Sequence, residues 1–490
     1  MTVEYDLIVI GGSNAGIYAA VAATKLKARV ALIENERVQT NWLGHGAIYA
    51  QALNQVGRVQ EQVREATQFG VHFPIADSTE QLQLPSVQLD EAMQWAQTVV
   101  YTCSEQNSPA ILASLGVDVI TGAGEFCRQP HLGFVVNDRR MRSRAYLIAT
   151  GSRPVIPDIA GLQTIGYLTP ADIWQPSFAQ RLQGSWVVIG DGSIGTELAQ
   201  TLARLNCEVT LVVNASHILP DEDPEASRLV QAQLEAEGIR VLTESPVAHV
   251  RQIEDKKWVQ AGNRAIEADE ILLATDHQLN VEAFNLEGVG VKFTPQGLEL
   301  NEKLQTTNSR IYACGNVVGG QPFAHIAQYE ASIALKNALF APVFKVDYRG
   351  IPWAVFSNPQ LVRVGLTEAQ ARQHYGKDVF VVRQYFKTLD KAQILGDTTG
   401  FCKIVGRENG EILGASIVGA DASELIGAIA LAIRQRLKVK AIANLPQISP
   451  TLSEIIHKTA IEWQQQRRSR NKTLQNFLEG FFNLRRNWSS

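Results

Sequence analysis

Two stretches of the chain share one pattern: an apolar run, a cluster of glycines, a segment with apolar residues at helical spacing, and a second apolar run. The first reads YDLIVIGGSNAGIYAAVAATKLKARVALIE from residue 5, and the second reads GSWVVIGDGSIGTELAQTLARLNCEVTLVV from residue 184. The runs at residues 7–10 and 186–189 are apolar throughout, as strands buried on both faces of a parallel sheet require. Each stretch is therefore predicted to form strand, turn, helix and strand.

The first turn has the residue types of a dinucleotide-binding loop. Small residues there let the backbone approach a pyrophosphate, which sits on the N-terminus of the following helix. Ser13 replaces the middle glycine of the G-x-G-x-x-G pattern, and Glu34 ends the second strand, where a carboxylate can bind both hydroxyls of an adenosine ribose. The alternative is a tight turn without a ligand. The predicted cofactor-binding residues are Gly11, Gly12, Ser13, Asn14, Ala15, Gly16 and Glu34.

The second turn completes the pattern with Gly190, Gly192 and Gly195. Two such units in one chain indicate a flavin and a nicotinamide partner. At the end of the following strand, a carboxylate would favour NADH and arginines would favour NADPH. The chain offers neither, because Val213, the candidate contact there, is followed by Asn214, Ser216 and His217. Weak binding of either nucleotide, or of neither, is compatible with these residues.

Composition and charge narrow the class of protein. The 490 residues suffice for about three domains, and 45% hydrophobic with 19% charged residues is an ordinary soluble mixture. A net charge of −4 argues against a nucleic-acid-binding protein. No apolar run reaches the ~18 residues of a membrane span, and the first strand follows the N-terminus too closely for a signal peptide. We therefore expect a cytoplasmic protein.

The cysteines are predicted to be small, buried apolar residues. Cys103, Cys127, Cys207, Cys314 and Cys402 are far apart, and no Cys-x-x-Cys or Cys/His cluster occurs. A zinc site or a local redox pair is therefore not expected, and no metal site is predicted.

The remaining motifs resemble those of class I pyridine nucleotide–disulfide oxidoreductases, the family of dihydrolipoamide dehydrogenase, glutathione reductase and mercuric reductase. GAGEF (122–126), LIATGSRPVIP (147–157), RIYACGNV (310–317) and FAHIAQYEA (323–331) resemble its flavin-binding signatures. VFSNPQLVRVGLTEAQA (355–371) and GEILGASIVGADASELI (410–426) resemble its dimerisation domain. The resemblance adds five residues to the predicted cofactor contacts, with Asn316 in place of an aspartate that holds the ribitol chain: Gly124, Thr150, Gly151, Asn316 and Ala327.

This resemblance implies an α/β fold with two Rossmann-like dinucleotide-binding domains and an α+β dimerisation domain. The FAD-binding domain is expected at residues 1–155 and 275–345, with the NAD(P)-binding domain, 156–274, inserted in it. The dimerisation domain is expected at 346–466. A homodimer with bound FAD, and with NAD(P)H as its partner, is implied.

The family's reactive cysteine pair is missing. The segment NWLGHGAIYAQAL (41–53) matches the family's C-L-N-V-G-C-I-P-S-K-A-L from residue 42 onward, and it places Trp42 and Ala47 at the two cysteines. Tyr49 replaces the proline. Gln51 replaces a lysine that, in the family, pairs with a glutamate near the flavin; Glu197 matches that glutamate and is expected to lack this partner.

Two further motifs depart from the family. In ISPTLSEII, Ser449 replaces the histidine that shuttles the thiol proton, while Glu454, which would orient it, remains. Serine cannot act as a base near pH 7, because its pKa is far too high. In ATDHQLN (274–280), Asp276 and His277 replace a glycine and an arginine that border both nucleotide pockets, which brings hydride delivery into question.

Thiol exchange requires a thiolate, so we predict an FAD-dependent oxidoreductase that passes electrons from NAD(P)H to a non-disulfide acceptor such as a quinone. The alternatives are a flavin-bearing scaffold or sensor without NAD(P)H turnover, and a flavoprotein reduced by a protein donor. Trp42 and Tyr49 either stack a flat acceptor or simply fill the old cavity, and His45 is either a proton donor or an exposed loop histidine. The candidates near the flavin are Trp42, His45, Ala47, Tyr49 and Glu197.

The tail, residues 467–490, follows the last family motif. Apolar residues recur at a spacing of three and four, which predicts one helical face: Leu474, Phe477, Leu478, Phe481 and Phe482. Six basic residues against Glu462 and Glu479 leave a net charge of +4 between residues 462 and 490. A basic amphipathic helix with aromatic residues can lie on an anionic membrane surface. The alternative is packing on the dimer or on the protein's own body.

Overall fold

The first predicted strand lies at the centre of a parallel sheet. The computed structural model describes residues 3–35, 46–72, 87–173, 175, 178, 181–182, 184–320 and 323–488. These residues form two units, one of Met1–Asn214 with Gly238–Asp347 and one of Ala215–Glu237 with Tyr348–Ser490. The second unit therefore includes a segment from the middle of the chain.

The elements of the first third of the chain surround the first glycine turn. Their bounds are β1 (Tyr5–Ile10), α1 (Asn14–Lys25), β2 (Val30–Glu34), α2 (Ala47–Glu65), α3 (Leu89–Ser104), α4 (Pro109–Ser114), β3 (Val117–Thr121), β4 (Gly124–Cys127), β5 (Gly133–Val136), β6 (Arg139–Met141), β7 (Ser143–Ile148) and β8 (Ser152–Pro154).

The elements between residues 162 and 339 come next. They are α5 (Leu162–Ile165), β9 (Ser185–Ile189), α6 (Ser193–Arg204), β10 (Glu208–Val212), α7 (Pro224–Ala236), β11 (Arg240–Leu242), β12 (Val247–Ile253), β13 (Lys256–Ala261), β14 (Arg264–Ala268), β15 (Glu270–Leu273), β16 (His277–Leu279), β17 (Phe293–Thr294), β18 (Gly297–Leu298), β19 (Ile311–Ala313) and α8 (Ala324–Leu339). Of these, α7 belongs to the second unit.

Two parallel sheets position the glycine turns. The first has the order β19-β7-β1-β2-β3, and the second has the order β11-β10-β9-β15. In both, the strand before the glycines lies between neighbours, and the register pairs Ile10 with Ile33 and Ile189 with Val212. Apolar runs that are buried on both faces explain these central positions. Each turn therefore lies at the carboxyl edge of its sheet, where α/β folds bind ligands.

The second unit is built on an antiparallel sheet of order β20-β21-β24-β23-β22. Its elements are β20 (Pro352–Val355), β21 (Gln360–Gly365), α9 (Glu368–Tyr375), β22 (Val379–Tyr385), α10 (Asp390–Leu395), β23 (Phe401–Arg407), β24 (Ile412–Gly419), α11 (Ala422–Leu425), α12 (Gly427–Arg434), α13 (Val439–Ala443), α14 (Glu454–Arg470) and α15 (Lys472–Asn487).

Buried ion pairs join the start of α7 to this sheet. Arg363 on β21 donates to both carboxylate oxygens of Glu222 at 3.1 and 2.9 Å, and Lys403 on β23 contacts Asp223 at 3.2 Å. Burial raises the pKa of Glu222 to about 7, against the opposing effect of Arg363. Removing one partner of such a pair leaves a buried charge uncompensated, so these contacts specify where the mid-chain segment packs.

Candidate active site

The first glycine turn is sterically closed to side chains at two positions. Gly11 has φ +113°, and a Cβ there would lie 2.3 Å from the carbonyl oxygen of Ala149. A Cβ on Gly16 would lie 2.0 Å from the carbonyl oxygen of Gly11. The turn from β1 into α1 therefore requires glycine at both positions, and it leaves the N-terminus of the helix open to an anion.

Ser13, the departure from the glycine pattern, caps α1. Its hydroxyl accepts a hydrogen bond from the backbone N–H of Gly16 at 3.3 Å and donates one to the carbonyl of Ala149 at 2.7 Å. Asn14 and Ala15 are the first two residues of the helix. The serine thus replaces a glycine at a position where its side chain satisfies a helix end.

Glu34 lies against the same turn. A Cβ on Gly12 would be 2.7 Å from Oε1 of Glu34, so the carboxylate rests directly over the glycine backbone. A small cleft opens beside it, lined by Ile10, Gly11, Gly12, Ile33, Asn35, Gly122, Gly124, Phe134, Thr150 and Phe284. A carboxylate beside a helix N-terminus is the arrangement that binds an adenosine ribose in dinucleotide-binding folds, and the role of Glu34 at the ribose of FAD stays a prediction.

The remaining predicted flavin contacts converge from three loops of the same unit. Asn316 donates from its side-chain amide to the hydroxyl of Ser152 at 3.0 Å. Gly315, with φ +75°, lies so close to α8 that an added Cβ would be 3.3 Å from Cβ of Ala327. The structure thus brings Asn316 and Ala327 together.

Thr150 and Gly151 are held on the other side by a reciprocal contact. The Thr150 hydroxyl donates to the carbonyl of Asn280 at 2.8 Å, and the Asn280 side chain donates to the carbonyl of Thr150 at 3.1 Å. Gly151 follows with φ +68°, a conformation that favours glycine. This arrangement fixes the loop after β7 beside the cleft.

The second glycine turn repeats the geometry of the first. Gly190 has φ +152°, and a Cβ there would lie 2.1 Å from the carbonyl oxygen of Ala274, while Gly195 is nearly as restricted, at 2.9 Å from Gly190. At Gly192, which precedes α6, a Cβ would meet nothing within 4 Å. Glycine at that position is therefore not required by the fold, and its open space suits a pyrophosphate.

The end of β10 offers little to a nucleotide ribose. The side chain of Val213 is fully buried, its N–H donates to the carbonyl of Leu242 at 2.8 Å, and its carbonyl accepts from Ser245 at 3.0 Å. Its main chain therefore takes part in hydrogen bonds within the fold, and the contact proposed for Val213 stays a prediction.

The segment that the resemblance places at the family's cysteine pair is described from Gly46 onward, so Trp42 and His45 lie outside the described residues. Ala47 begins α2 and is exposed. Tyr49 is only 1% exposed, and its hydroxyl has no hydrogen-bond partner among the described residues. Burial raises the pKa of Tyr49 to about 12, so this phenol is protonated at neutral pH.

Glu197 has a partner from this segment, and that partner is the residue that the resemblance places at the family's lysine. Nε2 of Gln51 donates to Oε2 of Glu197 at 2.8 Å. The amide keeps the contact between α2 and α6 but carries no positive charge. Sequence reasoning missed this bond, although its signal was present, because the register that placed Gln51 at the lysine also placed it opposite Glu197.

His277 is a half-buried residue whose ring nitrogen Nε2 is buried and unsatisfied among the described residues. It lies on β16 opposite Pro154 of β8, and its Nε2 has no hydrogen-bond partner among the described residues. Burial lowers the pKa of His277, and the neighbouring Asp276 acts in the opposite direction. At neutral pH this imidazole is therefore uncharged, unlike the arginine of the family pattern.

The residues that the resemblance places at the family's proton shuttle lie in the second unit. Ser449 is exposed, and Glu454 accepts a hydrogen bond from the backbone N–H of Thr451 at 3.0 Å. Glu454 thus stabilises the start of α14. In this chain the carboxylate of Glu454 therefore makes a local structural contact.

The expectation that all five cysteines are buried is wrong for two of them. Cys103 is exposed and Cys127 is half-buried, whereas Cys207, Cys314 and Cys402 are buried. Cys103 lies near the end of α3, whose buried residues, Ala92, Met93 and Ala96, all belong to the first half of the helix, so the turns that carry Cys103 bury no residue. Among the described residues no cluster of potential metal ligands occurs. No described helix is both long enough and apolar enough to span a membrane.

Comparison with known proteins gives matches over most of the chain. The family described as Pyridine nucleotide-disulphide oxidoreductase matches residues 5–331, and its dimerisation domain matches residues 351–460. A dihydrolipoyl dehydrogenase of Bacillus subtilis is 31% identical over 461 residues, which cover 93% of this chain and 98% of the relative. A mercuric reductase of Staphylococcus aureus is 31% identical over 448 residues, covering 90% and 79%.

Solved structures show the same architecture. LpdA from Mycobacterium tuberculosis superposes with a TM-score of 0.81 at 25% identity, over 93% of this chain and 99% of that one. The flavoprotein disulfide reductase RclA from Escherichia coli gives a TM-score of 0.80 at 25% identity, over 94% and 99%. The predicted α/β fold with two dinucleotide-binding domains and a dimerisation domain is confirmed.

Proposed function

Because the chain belongs to the pyridine nucleotide-disulphide oxidoreductase family, we propose that it transfers electrons to a small-molecule acceptor that is not a disulfide. The family consists of FAD-dependent oxidoreductases with NAD(P)H as electron donor, and this enzyme class applies to the chain. When bound, FAD supplies the redox chemistry. The proposal therefore concerns the chemical class of the electron acceptor.

One observation carries the proposal: Trp42 and Ala47 occupy the positions of the cysteine pair. No cysteine lies anywhere in residues 41–53, and Ala47 has no side-chain atom beyond Cβ. Of the other thiols, those of Cys207 and Cys402 have pKa values raised to about 12 by burial. Such groups hold almost no thiolate, the form that attacks a disulfide.

The chain's own residues would hold the cofactors without thiol chemistry. Gly11, Gly16 and the capped start of α1 accommodate the pyrophosphate of FAD, Glu34 its ribose, and Asn316 its ribitol chain. Gly192 and the start of α6 leave room for the pyrophosphate of NAD(P)H. These roles need no redox-active side chain.

Tyr49 supports an acceptor with carbonyl oxygens. Its buried hydroxyl lacks a described partner and, with a pKa of about 12, can donate a hydrogen bond at neutral pH but cannot act as a base. A quinone presents carbonyl oxygens, which can accept a hydrogen bond from the Tyr49 phenol. It also has a flat apolar ring, which packs well against aromatic side chains. We therefore infer a quinone-like acceptor.

The first experiment is an anaerobic titration of the purified protein with NADH and with NADPH, followed at the flavin absorbance band. Turnover is then measured with a soluble naphthoquinone, lipoamide and glutathione disulfide. We expect bleaching by at least one nucleotide, quinone reduction faster than with free FAD, and no disulfide reduction. Reduction of either disulfide at a rate comparable to the quinone would overturn the proposal.

A matched variant distinguishes electron transfer through a cysteine from direct transfer between the flavin and the acceptor. Cys103→Ser/Cys127→Ser removes the two thiols that are not buried. Quinone turnover should stay within about twofold of the parent, because neither thiol lies in the site. A large loss of turnover would instead indicate a cysteine-dependent path.

A second candidate is a flavoprotein that does not take electrons from NAD(P)H, either a scaffold or sensor or a protein reduced by another protein. It is favoured by one observation, the lack of a carboxylate or arginine at Val213 and Asn214. Failure of both nucleotides to bleach the flavin would select it. In either case we infer a cytoplasmic homodimer, supported by the match to the dimerisation domain.

A further inference from the structure

The last helix, α15, presents an apolar face that is largely exposed in the described part of the chain. None of its residues is buried, and the exposed fractions of Phe477, Phe481, Leu484 and Trp488 are 65%, 48%, 63% and 88%. An amphipathic helix of a globular protein normally turns its apolar stripe to the core. This face is therefore built for a partner outside the chain.

The apolar residues form one continuous band. At 100° per residue, Leu474, Phe477, Leu478, Phe481, Phe482, Leu484 and Trp488 fall within about 160° of the circumference. The rings of Phe477 and Phe481 stack at 6.3 Å, and Phe482 meets Phe481 edge-on at 5.3 Å. The helix is about 24 Å long at 1.5 Å per residue, so the band is a sizeable aromatic surface.

Basic residues lie before this band and in its last turn. Arg467, Arg468, Arg470 and Lys472 precede it. Arg485 lies on the same side of the helix as the apolar residues, between Leu484 and Trp488, and Arg486 lies about 100° further round the helix. With Glu479 as its one acidic residue, the tail 467–490 carries a net charge of +5, which leaves −9 for the rest of a chain whose total is −4. The positive charge is thus concentrated where the apolar surface is exposed.

We propose that α15 docks the protein on an anionic lipid bilayer, lying flat in the interface with its aromatic band inserted and its arginines on lipid phosphates. A second copy of the chain fits less well, because pairing two such helices would bring up to twelve basic side chains together. A bilayer surface satisfies both features at once, since it offers apolar depth beneath a layer of negative charge. This docking is independent of which acceptor the flavin site uses.

The test uses the full-length protein and sedimentation with vesicles of phosphatidylcholine alone or mixed with phosphatidylglycerol. We expect binding to the mixed vesicles only, and its loss at high salt. Arg485→Gln/Arg486→Gln should weaken binding at least ~20-fold, because each basic residue near an anionic surface contributes a factor of about five. Phe477→Ser/Phe481→Ser should abolish it.

The matched control is Phe69→Ser, which removes a phenylalanine that is 56% exposed elsewhere on the chain and should leave vesicle binding unchanged. Equal binding to both vesicle types, or binding that survives Phe477→Ser/Phe481→Ser, would overturn the proposal. Sedimentation velocity tests the alternative, in which a second copy of the chain binds the aromatic band. An assembly larger than a dimer that Phe477→Ser/Phe481→Ser dissolves, with no vesicle binding, would assign the band to a second copy instead.

Discussion

The side-chain amide of Gln51 donates a 2.8 Å hydrogen bond to the carboxylate of Glu197, and this contact joins α2 to α6 beside the candidate flavin site. Both side chains are partly buried. Gln51 is a neutral donor, so this hydrogen bond brings no positive charge to Glu197. The pair links the altered segment to the second dinucleotide unit.

Replacing Gln51 by alanine should lower the free energy of unfolding by about 1 kcal/mol, the usual contribution of a partly buried hydrogen bond. Gln51→Lys should retain that stability, because an ammonium can donate to the same oxygen. Urea unfolding of both variants measures the difference. Equal stability of Gln51→Ala and the parent would show that the bond contributes nothing.

Tyr49→Phe should lower the activity without lowering the stability of the protein. Removing a buried hydroxyl that lacks a described partner should leave the free energy of unfolding unchanged or raise it by about 1 kcal/mol. Quinone turnover should fall about tenfold, the effect of losing one hydrogen bond to the acceptor. Unfolding curves and steady-state rates check the two effects.

Tyr146→Phe is the control for this change. The buried Tyr146 hydroxyl accepts from the backbone of Ser143 at 3.1 Å and donates to the carbonyl of Leu132 at 3.3 Å. Its loss should destabilise the protein by about 1 kcal/mol without affecting turnover. If Tyr49→Phe behaved in the same way, the Tyr49 hydroxyl would have only a structural role.

Gly192→Ala should weaken NAD(P)H binding without disturbing the fold. The added methyl group meets no protein atom within 4 Å, so the melting temperature should not change, whereas a pyrophosphate approaching the loop would be obstructed. We expect the dissociation constant to rise about tenfold, measured by titration of the nucleotide. Gly190→Ala, whose Cβ would clash with Ala274 at 2.1 Å, should instead lower the melting temperature.

His277 should make stability depend on pH in the acidic range. Burial lowers its pKa below the ordinary 6.5, so the unfolded chain takes up the proton more readily than the folded one. The stabilisation is therefore present above about pH 6.5 and is lost as the pH falls through the folded-state pKa. The melting temperature of the parent should drop more than that of His277→Gln between pH 7.5 and pH 5.5.

The exposed His249 supplies the comparison for that experiment. His249→Gln should follow the parent over the same pH range. Parallel curves for the parent and His277→Gln would contradict the assignment of the pH dependence to His277.

The glycine turns were predictable because their constraints are local. Continuous apolar runs specify central strands, and glycines at fixed spacing specify turns in which Gly11 and Gly190 leave no room for a Cβ. The sequence shows Ser13 as a departure from the glycine pattern, but its hydrogen bond to the carbonyl of Ala149 depends on a residue that is distant in sequence. The motifs that match the family over residues 5–331 and 351–460 made the fold predictable.

Features that depend on packing between distant segments were not predictable in the same way. The exposure of Cys103 depends on how far along its length α3 is packed against its neighbours, and the unsatisfied Nε2 of His277 depends on the pairing of β16 with β8. The ion pair of Glu222 with Arg363 is of the same kind, because no local pattern connects two residues 141 positions apart.

The distance between Glu222 and Arg363 along the chain has a consequence for synthesis. At about 5–20 residues per second, the ribosome needs roughly 7–28 s to make the 141 residues that separate them. During that interval the α7 segment has emerged, while the β-sheet that receives it has not. The acidic residues before α7 therefore stay hydrated until Arg363 and Lys403 have been synthesised. The α7 segment can pack only when the second unit, which is completed last, has formed.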